Sequence, residues 1–202
     1  MKDLPDLLAD RDAWSAADCS GDMYIQDGAL EPDAEQALVK RISAMLVEHE
    51  LRRIVDLVDD PAQVQASATR ANSIAWMFVH RTDTYVAGQP VGPQAPRGPV
   101  YRFDVKIPEG QLDDLFIPAV NRDILAALVE AEAGRWKHPE LRLWVFVQEI
   151  KDGTWGAAGM PMQLKGIIDF VSPGSGQLAV DRWQKTQRAA DLVGADTAPA
   201  DA

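Results

Sequence analysis

One cysteine, one histidine and two basic residues are the side chains of this sequence best suited to chemistry. Cys19 could act as a nucleophile if a neighbour lowered its pKa, but no base stands beside it, and we interpret it as an inert, partly buried thiol. His80 closes an apolar run and could exchange a proton near neutral pH. Arg102 and Lys106 fall on an alternating strand and could each bind a carboxylate, although the alternation favours charges that face solvent or another subunit. Cys19, His80 and Arg102 are therefore the catalytic candidates, and Arg102 and Lys106 are ligand-binding candidates.

Aromatic and glycine residues provide a second set of candidates. Trp76, Trp144 and Trp155 could shape a flat apolar pocket, although such residues more often belong to a core or an interface. We retain Trp76 and Trp144 as ligand-binding candidates. The glycine-rich turn after residue 150 follows a predicted strand but opens no recognisable helix, so it does not predict a dinucleotide site. We therefore expect no cofactor.

Composition excludes several classes of function. The 202 residues carry a net charge of −11, and no Lys/Arg cluster is present, so we expect no nucleic-acid partner. The three histidines lie far apart and show no metal-ligand spacing, so we expect no metal. The single cysteine is typical of a reducing compartment, and no stretch approaches the ~18 apolar residues of a membrane span. The expected protein is cytoplasmic and has no membrane partner.

The elements that must position these side chains repeat one pattern. A strand, a helix and a second strand occur twice, and a loop rich in proline and glycine at residues 88–99 separates the two copies. The first copy comprises residues 23–27, 32–50 and 73–80, and the second comprises residues 99–107, 118–133 and 141–150. Two such βαβ units predict an α+β fold, a four-stranded mixed sheet with two helices on one face. The strand at residues 73–80 is apolar on both sides, so we expect oligomerisation to cover the second face.

This organisation predicts three segments. Residues 1–21 form an N-terminal extension, and residues 22–187 form a single domain made of two halves, 22–88 and 99–171. The apolar run at residues 163–171 is interpreted as a last strand or edge hairpin. The tail at residues 188–202, rich in Ala and Asp, is predicted to be disordered.

The order of several short motifs resembles the tautomerase superfamily in its long fused-subunit form, the form of cis-3-chloroacrylic acid dehalogenase. The motifs are spread over residues 23–160, and none is specific alone. They are Leu30-Glu-Pro-Asp-Ala34, the strand end at His80, Tyr85-Val-Ala-Gly88, Glu109-Gly110, Leu143-Trp-Val-Phe146 with Glu149, and Gly159. The resemblance implies a tautomerase/MIF-like fold, a homotrimer and one site per chain.

Family chemistry does not carry over residue by residue. The resemblance implies an amino-terminal catalytic proline, but its position falls near Asp18 or Cys19, preceded by further residues. The positions of the dehalogenase arginine pair, histidine and water-activating acid are likewise held by other residue types: Pro108, Gln111, Leu46 and Ala157. The sequence therefore predicts a divergent member without proline-dependent tautomerase or dehalogenase activity.

Three alternatives stay open at this point. One is a ligand-binding or structural oligomer, whose ligand would be a small carboxylic acid or carbonyl compound. The second is an active isomerase or lyase that acts on a small 2-oxo or enol acid and uses residues other than proline. The third is a ferredoxin-like dimeric α+β barrel, which the strand order distinguishes from the first two.

Overall fold

Eight strands and five helices make up the part of the chain that the computed structural model describes, residues 20–55, 60–157 and 159–196. Side chains are described except at residues 53–55 and 187–196. The first half contains β1 (Ser20–Ile25), α1 (Pro32–Val55), α2 (Pro61–Ile74), β2 (Trp76–Arg81), β3 (Thr84–Val86) and β4 (Gln89–Val91). The second contains β5 (Tyr101–Pro108), α3 (Phe116–Glu132), β6 (Leu143–Ile150), β7 (Trp155–Ala157), β8 (Met160–Met162), α4 (Leu164–Val171) and α5 (Gly176–Asp196).

Four strands form one mixed sheet in the order β2-β1-β5-β6. The outer pairs β1–β2 and β5–β6 are parallel, and the central pair β1–β5 is antiparallel. The two parallel strands of each βαβ unit are thus direct neighbours, with no strand inserted between them. The predicted tandem fold is confirmed, and the ferredoxin-like alternative, which needs a split βαβ unit, is wrong.

Helices α1 and α3 cover one face of this sheet. They run antiparallel, because Arg41 of α1 contacts Glu130 near the end of α3, whereas His49 contacts Asp123 nearer its beginning. Their apolar residues recur at spacings of three and four, so each helix presents one stripe to the sheet. The buried core includes Leu38, Ile42 and Leu46 of α1, Val120, Ile124 and Leu128 of α3, and Met23, Ile25, Phe103 and Val105 of the sheet.

The start and the end of α3 follow from local chemistry. Oδ1 of Asp113 accepts hydrogen bonds from the backbone N–H groups of Leu115 and Phe116, which have no partner within the helix. Pro118 lies in the first turn, where its missing N–H costs no helical hydrogen bond. At the other end, Gly134 adopts a positive φ of 75°. The predicted helix is therefore confirmed, beginning at Phe116.

The structure corrects the interpretation of the C-terminal region. Residues 164–171 form helix α4, not a strand or hairpin, because Leu164, Ile167, Ile168 and Val171 recur at helical spacing and are buried. Helix α5 continues to Asp196 and so includes residues 188–196 of the tail that the sequence predicts to be disordered, and the rest of the tail lies outside the described residues. Helices α2, α4 and α5 pack on the end of α1 around a second apolar cluster that includes Val47 and Ile74.

The first βαβ unit also departs from its predicted bounds. Ser20 and Gly21, assigned to the N-terminal extension, belong to β1. The apolar run predicted as a strand from residue 73 begins as the end of α2, and β2 starts at Trp76. Trp76 and Phe78 are exposed on the sheet face opposite α1 and α3, so the described residues do not cover this strand on both faces. Among the described residues, no helix is long and apolar enough to cross a membrane.

Candidate functional site

The face of the sheet opposite α1 and α3, called the open face below, carries alternating charged and aromatic side chains. Its members are Trp76, Phe78 and His80 of β2, Asp22 and Tyr24 of β1, Arg102, Asp104 and Lys106 of β5, and Trp144, Phe146 and Gln148 of β6. Alternation along each strand places them there, because successive side chains point to opposite faces. The two central aspartates, Asp22 and Asp104, pair directly across the antiparallel strands.

Two like charges facing each other in this way repel, so each aspartate needs a cation. Both are only 6% exposed. Oδ1 of Asp22 lies 2.6 Å from Nε2 of His80, and its other oxygen accepts a hydrogen bond from Nζ of Lys106. Burial raises the pKa of Asp22, but the hydrogen bonds from Lys106 and His80 outweigh burial and hold it below its ordinary value. Asp22 is therefore an ionised carboxylate shared by two basic side chains.

Asp104 is neutralised from its own strand. Nε and one terminal nitrogen of Arg102 donate to the two carboxylate oxygens at 2.7 and 2.6 Å. This fork geometry is the strongest arrangement available to an arginine and a carboxylate. The hydrogen bonds from the guanidinium to Asp104 raise the pKa of Arg102.

Planar groups stack in a row across all four strands of the open face. The rings of His80 and Tyr24 are stacked, with centroids 4.6 Å apart and planes inclined by 14°. The guanidinium of Arg102 lies between two further rings, 4.9 Å from the centroid of Tyr24 and 4.8 Å from that of Phe146. Arg102 is thereby held by Asp104 and by two aromatic faces, and His80 by Asp22 and Tyr24.

A cavity of about 430 Å³ lies at one end of the sheet, where β1 ends and where β5 and β6 begin. It is called the end cavity below. Its lining combines aromatic rings, threonines and arginines and includes no acidic residue: Tyr24, Thr82, Thr84, Tyr85, Val86, Arg97, Val100, Tyr101, Arg102, Leu141, Arg142 and Trp144. Pockets of this volume are large enough for a small organic ligand.

The three arginines of the end cavity differ in their partners. Arg142 is buried and donates to both oxygens of Glu132, at 2.6 and 2.5 Å, and to the backbone oxygen of Pro99 at 2.8 Å. Arg102 is bound to Asp104. Arg97, in the loop between β4 and β5, is exposed and forms no ion pair with any other described residue. The end cavity therefore contains one guanidinium whose charge is not matched by any residue in the described part of the chain.

The predicted site residues have different outcomes. Cys19 lies outside the described residues. His80 of β2 and Arg102 and Lys106 of β5 share the open face, whereas Trp76 and Trp144 stand on its two outer strands. Arg102 and Trp144 also line the end cavity. Trp155 packs beside Met162 and Ile167, away from the open face.

Sequence reasoning did not assign roles to Asp22, Asp104 or Arg97. Asp104 follows Arg102 by two residues on β5, so the alternation of side chains along a strand could have predicted that both lie on the same face. No spacing signal links Asp22 to His80, because they are brought together only by the pairing of β1 with β2. Arg97 lies in a loop of prolines and glycines, where no periodicity marks a functional residue.

Several positions named in the resemblance serve packing or hold turns in this chain. Leu46 is in the core. Glu149 accepts hydrogen bonds from the backbone N–H groups of Gly110 and Leu112, so this carboxylate fixes the turn before α3. The ring of Trp183 from α5 lies against Gly110, where a Cβ would come within 2.3 Å of it. No group of three or more metal-ligating side chains occurs in the described part of the chain.

No family model and no curated protein sequence matches the chain. In structure it is similar to N1, a member of the cis-3-chloroacrylic acid dehalogenase (cis-CaaD) family, with 13% identity and a TM-score of 0.48 over 79% of this chain and 88% of that one. A fused 4-OT wild-type symmetric trimer gives 16% identity and a TM-score of 0.46 over 71% and 94%. A macrophage migration inhibitory factor-like protein from Entamoeba histolytica gives 8% and 0.45 over 71% and 98%. These are likenesses in structure only.

Proposed function

We propose that this chain is a divergent member of the tautomerase superfamily that acts without proline-dependent tautomerase or dehalogenase chemistry. It is a self-associating protein that binds a small carboxylic acid or carbonyl compound. The observation that carries the proposal is the pairing of the open-face cations. Arg102 and Lys106, the predicted ligand-binding cations, are each held by a buried carboxylate, and His80 shares one of these carboxylates.

Paired cations suit a packing surface better than a catalytic centre. A substrate carboxylate would have to displace Asp104 from Arg102 or Asp22 from Lys106, and either displacement would leave a buried aspartate without a partner. Breaking a buried pair in this way costs several kcal/mol. With its charges matched internally, the open face can approach another protein surface without exposing an unpaired charge to it.

Exposed aromatic residues on both sides of the paired charges support self-association. Trp76 and Phe78 stand on β2, and Trp144 and Phe146 stand on β6, all at least one-third exposed. Exposed apolar patches of this kind are typical of interaction sites, and aromatic residues are enriched in interfaces. The occupant that we propose is a second copy of this chain, and the sequence resemblance favours a trimer.

The mass of the full chain in solution tests the assembly. A trimer of the 22.1 kDa chain is expected by sedimentation equilibrium at micromolar concentration. Trp144→Lys should shift the mass towards the monomer, because a lysine charge would be buried at the interface. Leu178→Lys is the matched control, since Leu178 is an exposed apolar residue on α5, away from the open face, and the mass should not change. A monomer at all concentrations, or an equal effect of both variants, would contradict the proposed interface.

A turnover assay tests the proposed loss of chemistry. Phenylpyruvate and 2-hydroxymuconate are suitable enol and 2-oxo acid probes. We expect no turnover above that of buffer. Isomerisation of either probe by the full chain at a rate above that of buffer would refute this part of the proposal.

A specific contact favours a second candidate function, an isomerase or lyase for a small 2-oxo or enol acid. Because an ionised carboxylate only accepts hydrogen bonds, the contact with Asp22 favours the tautomer of His80 that carries a proton on Nε2, and in that tautomer Nδ1 can accept a proton from a substrate. Turnover that survives Cys19→Ala but is lost in His80→Gln and Arg102→Ala would establish this alternative. Turnover unaffected by His80→Gln would exclude it.

A further inference from the structure

We infer that the end cavity binds an aromatic monocarboxylate whose carboxylate is held by Arg97. This inference rests on the binding role proposed above and adds the place and the chemical class of the ligand. It does not depend on His80 or Lys106, neither of which lines the end cavity, although Tyr24, Arg102 and Trp144 belong to both regions. The end cavity also lies at the opposite end of β1 from Ser20, near which the resemblance would place a catalytic proline.

The charge of the end cavity is opposite to that of the chain. Acidic residues outnumber basic residues by 31 to 20 in the sequence, yet three arginines and no acidic residue line this cavity. A cleft lined by one sign of charge concentrates ligands of the other sign. Because Arg102 and Arg142 are paired with carboxylates, Arg97 supplies the excess positive charge that attracts an anion to the end cavity.

Only one of these arginines is available to a ligand. Arg142 is 1% exposed in its side chain and is saturated by Glu132, Pro99 and Lys137. Arg102 makes its bidentate bond with Asp104. Of the three, only Arg97 forms no ion pair with a described residue, and one guanidinium matches one carboxylate in the bidentate geometry. Because the cavity offers one such guanidinium, it matches a ligand with one carboxylate better than a ligand with two.

The loop that carries Arg97 is held in place by its neighbours. The N–H of Ala95 donates to Gly92 and the N–H of Gly98 donates to Ala95, both at 2.9 Å. Gly98 has a φ of +79°, and the ring of Trp136 lies so close that a Cβ at this position would be 2.6 Å from it. Arg97 is therefore attached to a backbone fixed by two turns and an aromatic ring, which reduces the ordering cost of binding.

The remaining walls suit a flat apolar body. Tyr85 and Trp144 supply aromatic rings, and Thr82 and Thr84 add hydroxyl groups beside them. Aromatic rings stack favourably on one another, and the guanidinium of Arg102 already lies over Tyr24 in this region. The volume of about 430 Å³ accommodates an indole or phenyl ring with a short acid arm.

Calorimetric titration of the full chain tests this inference. The two ligands are indole-3-acetate and its neutral amide, indole-3-acetamide. Binding of the acid is expected, with the amide about tenfold weaker or more, because hydrogen bonds to charged groups contribute most. Arg97→Gln should weaken the acid about tenfold or more and leave the amide unchanged. Arg122→Gln, which removes an exposed arginine of α3 outside the end cavity, is the matched control and should change neither.

A second variant distinguishes the contribution of the apolar wall to the affinity from that of the arginine charge. Tyr85→Ser removes an exposed ring of the end cavity and should weaken the acid and the amide by a similar factor. Equal affinity of the acid for the parent chain and Arg97→Gln would overturn the inference. Failure of the parent to bind either indole-3-acetate or phenylacetate at millimolar concentration would also overturn it.

The mass measurement keeps this inference distinct from the proposed function. A chain that assembles but binds no aromatic acid would refute the end cavity as a site and leave self-association standing. A chain that binds the acid through Arg97 as a monomer would refute self-association and leave the end cavity standing.

Discussion

The open face and the end cavity contain the same kinds of side chain but differ in how their charges are matched. On the open face, Arg102, Lys106 and His80 all contact Asp22 or Asp104. In the end cavity, Arg97 has no carboxylate within the described part of the chain. The difference teaches that residue type alone does not identify a binding site in this fold. The pairing of each charge decides whether a surface can pack against protein or can bind an anion.

The largest expected effect comes from breaking the buried pair beside the end cavity. Glu132→Gln removes the charge that holds Arg142, and both side chains are at most 2% exposed. A buried charge left without its partner destabilises a protein by about 3–5 kcal/mol, so the free energy of unfolding in urea should fall by that amount. The expected loss would show that Arg142 is a structural arginine and not a ligand-binding one.

A neighbouring carboxylate on the same helix provides the control. Glu130→Gln removes an exposed partner of Arg41, and exposed pairs contribute about 0–1 kcal/mol. Similar losses for Glu132→Gln and Glu130→Gln would contradict the distinction between a buried and an exposed pair. The comparison uses one helix and one type of substitution, so only burial differs.

The next largest effect is expected when the paired cation Arg102 loses its carboxylate partner. Asp104→Asn removes the charge that holds Arg102, which lines the end cavity. The released guanidinium should raise the affinity for indole-3-acetate roughly tenfold, because hydrogen bonds to charged groups contribute about 1.5–3 kcal/mol. Titration calorimetry of the variant measures this change.

The opposing aspartate supplies the contrast for that variant. Asp22→Asn frees Lys106 and His80, neither of which lines the end cavity, so the affinity for the acid should stay constant. If the affinity for indole-3-acetate increased in both Asp22→Asn and Asp104→Asn, the cause would be the general gain of positive charge. An increase in Asp104→Asn alone would support pairing as the difference between the two regions.

The smallest effect is the pH dependence that Asp22 confers. Its folded pKa lies below the ordinary value of 3.8, so folding favours the ionised form. The stability that Asp22 contributes is therefore present above about pH 4 and is lost as the pH falls through the folded pKa. Urea unfolding between pH 6 and pH 3 should show a difference between the parent chain and Asp22→Asn that narrows towards pH 3.

An exposed aspartate provides the reference for this profile. Asp83→Asn, a substitution at an exposed position, should retain the pH profile of the parent chain. A difference between parent and Asp22→Asn that stays constant down to pH 3 would contradict the assignment of the effect to ionised Asp22.

Local patterns in the sequence were sufficient for the two βαβ units and for the side of β5 on which Arg102 and Lys106 lie. Period-two alternation determines that side, and helical spacing determines the buried stripes of α1 and α3. The same reasoning failed at residues 164–171, where β-branched residues were read as a strand although their buried positions follow helical spacing. It also could not place Arg97, because a loop has no period.

The sequence by itself determined the two βαβ units, the acidity and the alternation of side chains along β5, because propensity and periodicity act within a few residues along the chain. Tertiary structure alone decided which charges are paired. The antiparallel register of β1 and β5 sets Asp22 against Asp104, and the parallel register of β1 and β2 brings His80 to Asp22. These contacts join residues distant in sequence, so only the completed sheet separates the paired cations of the open face from the free guanidinium of Arg97.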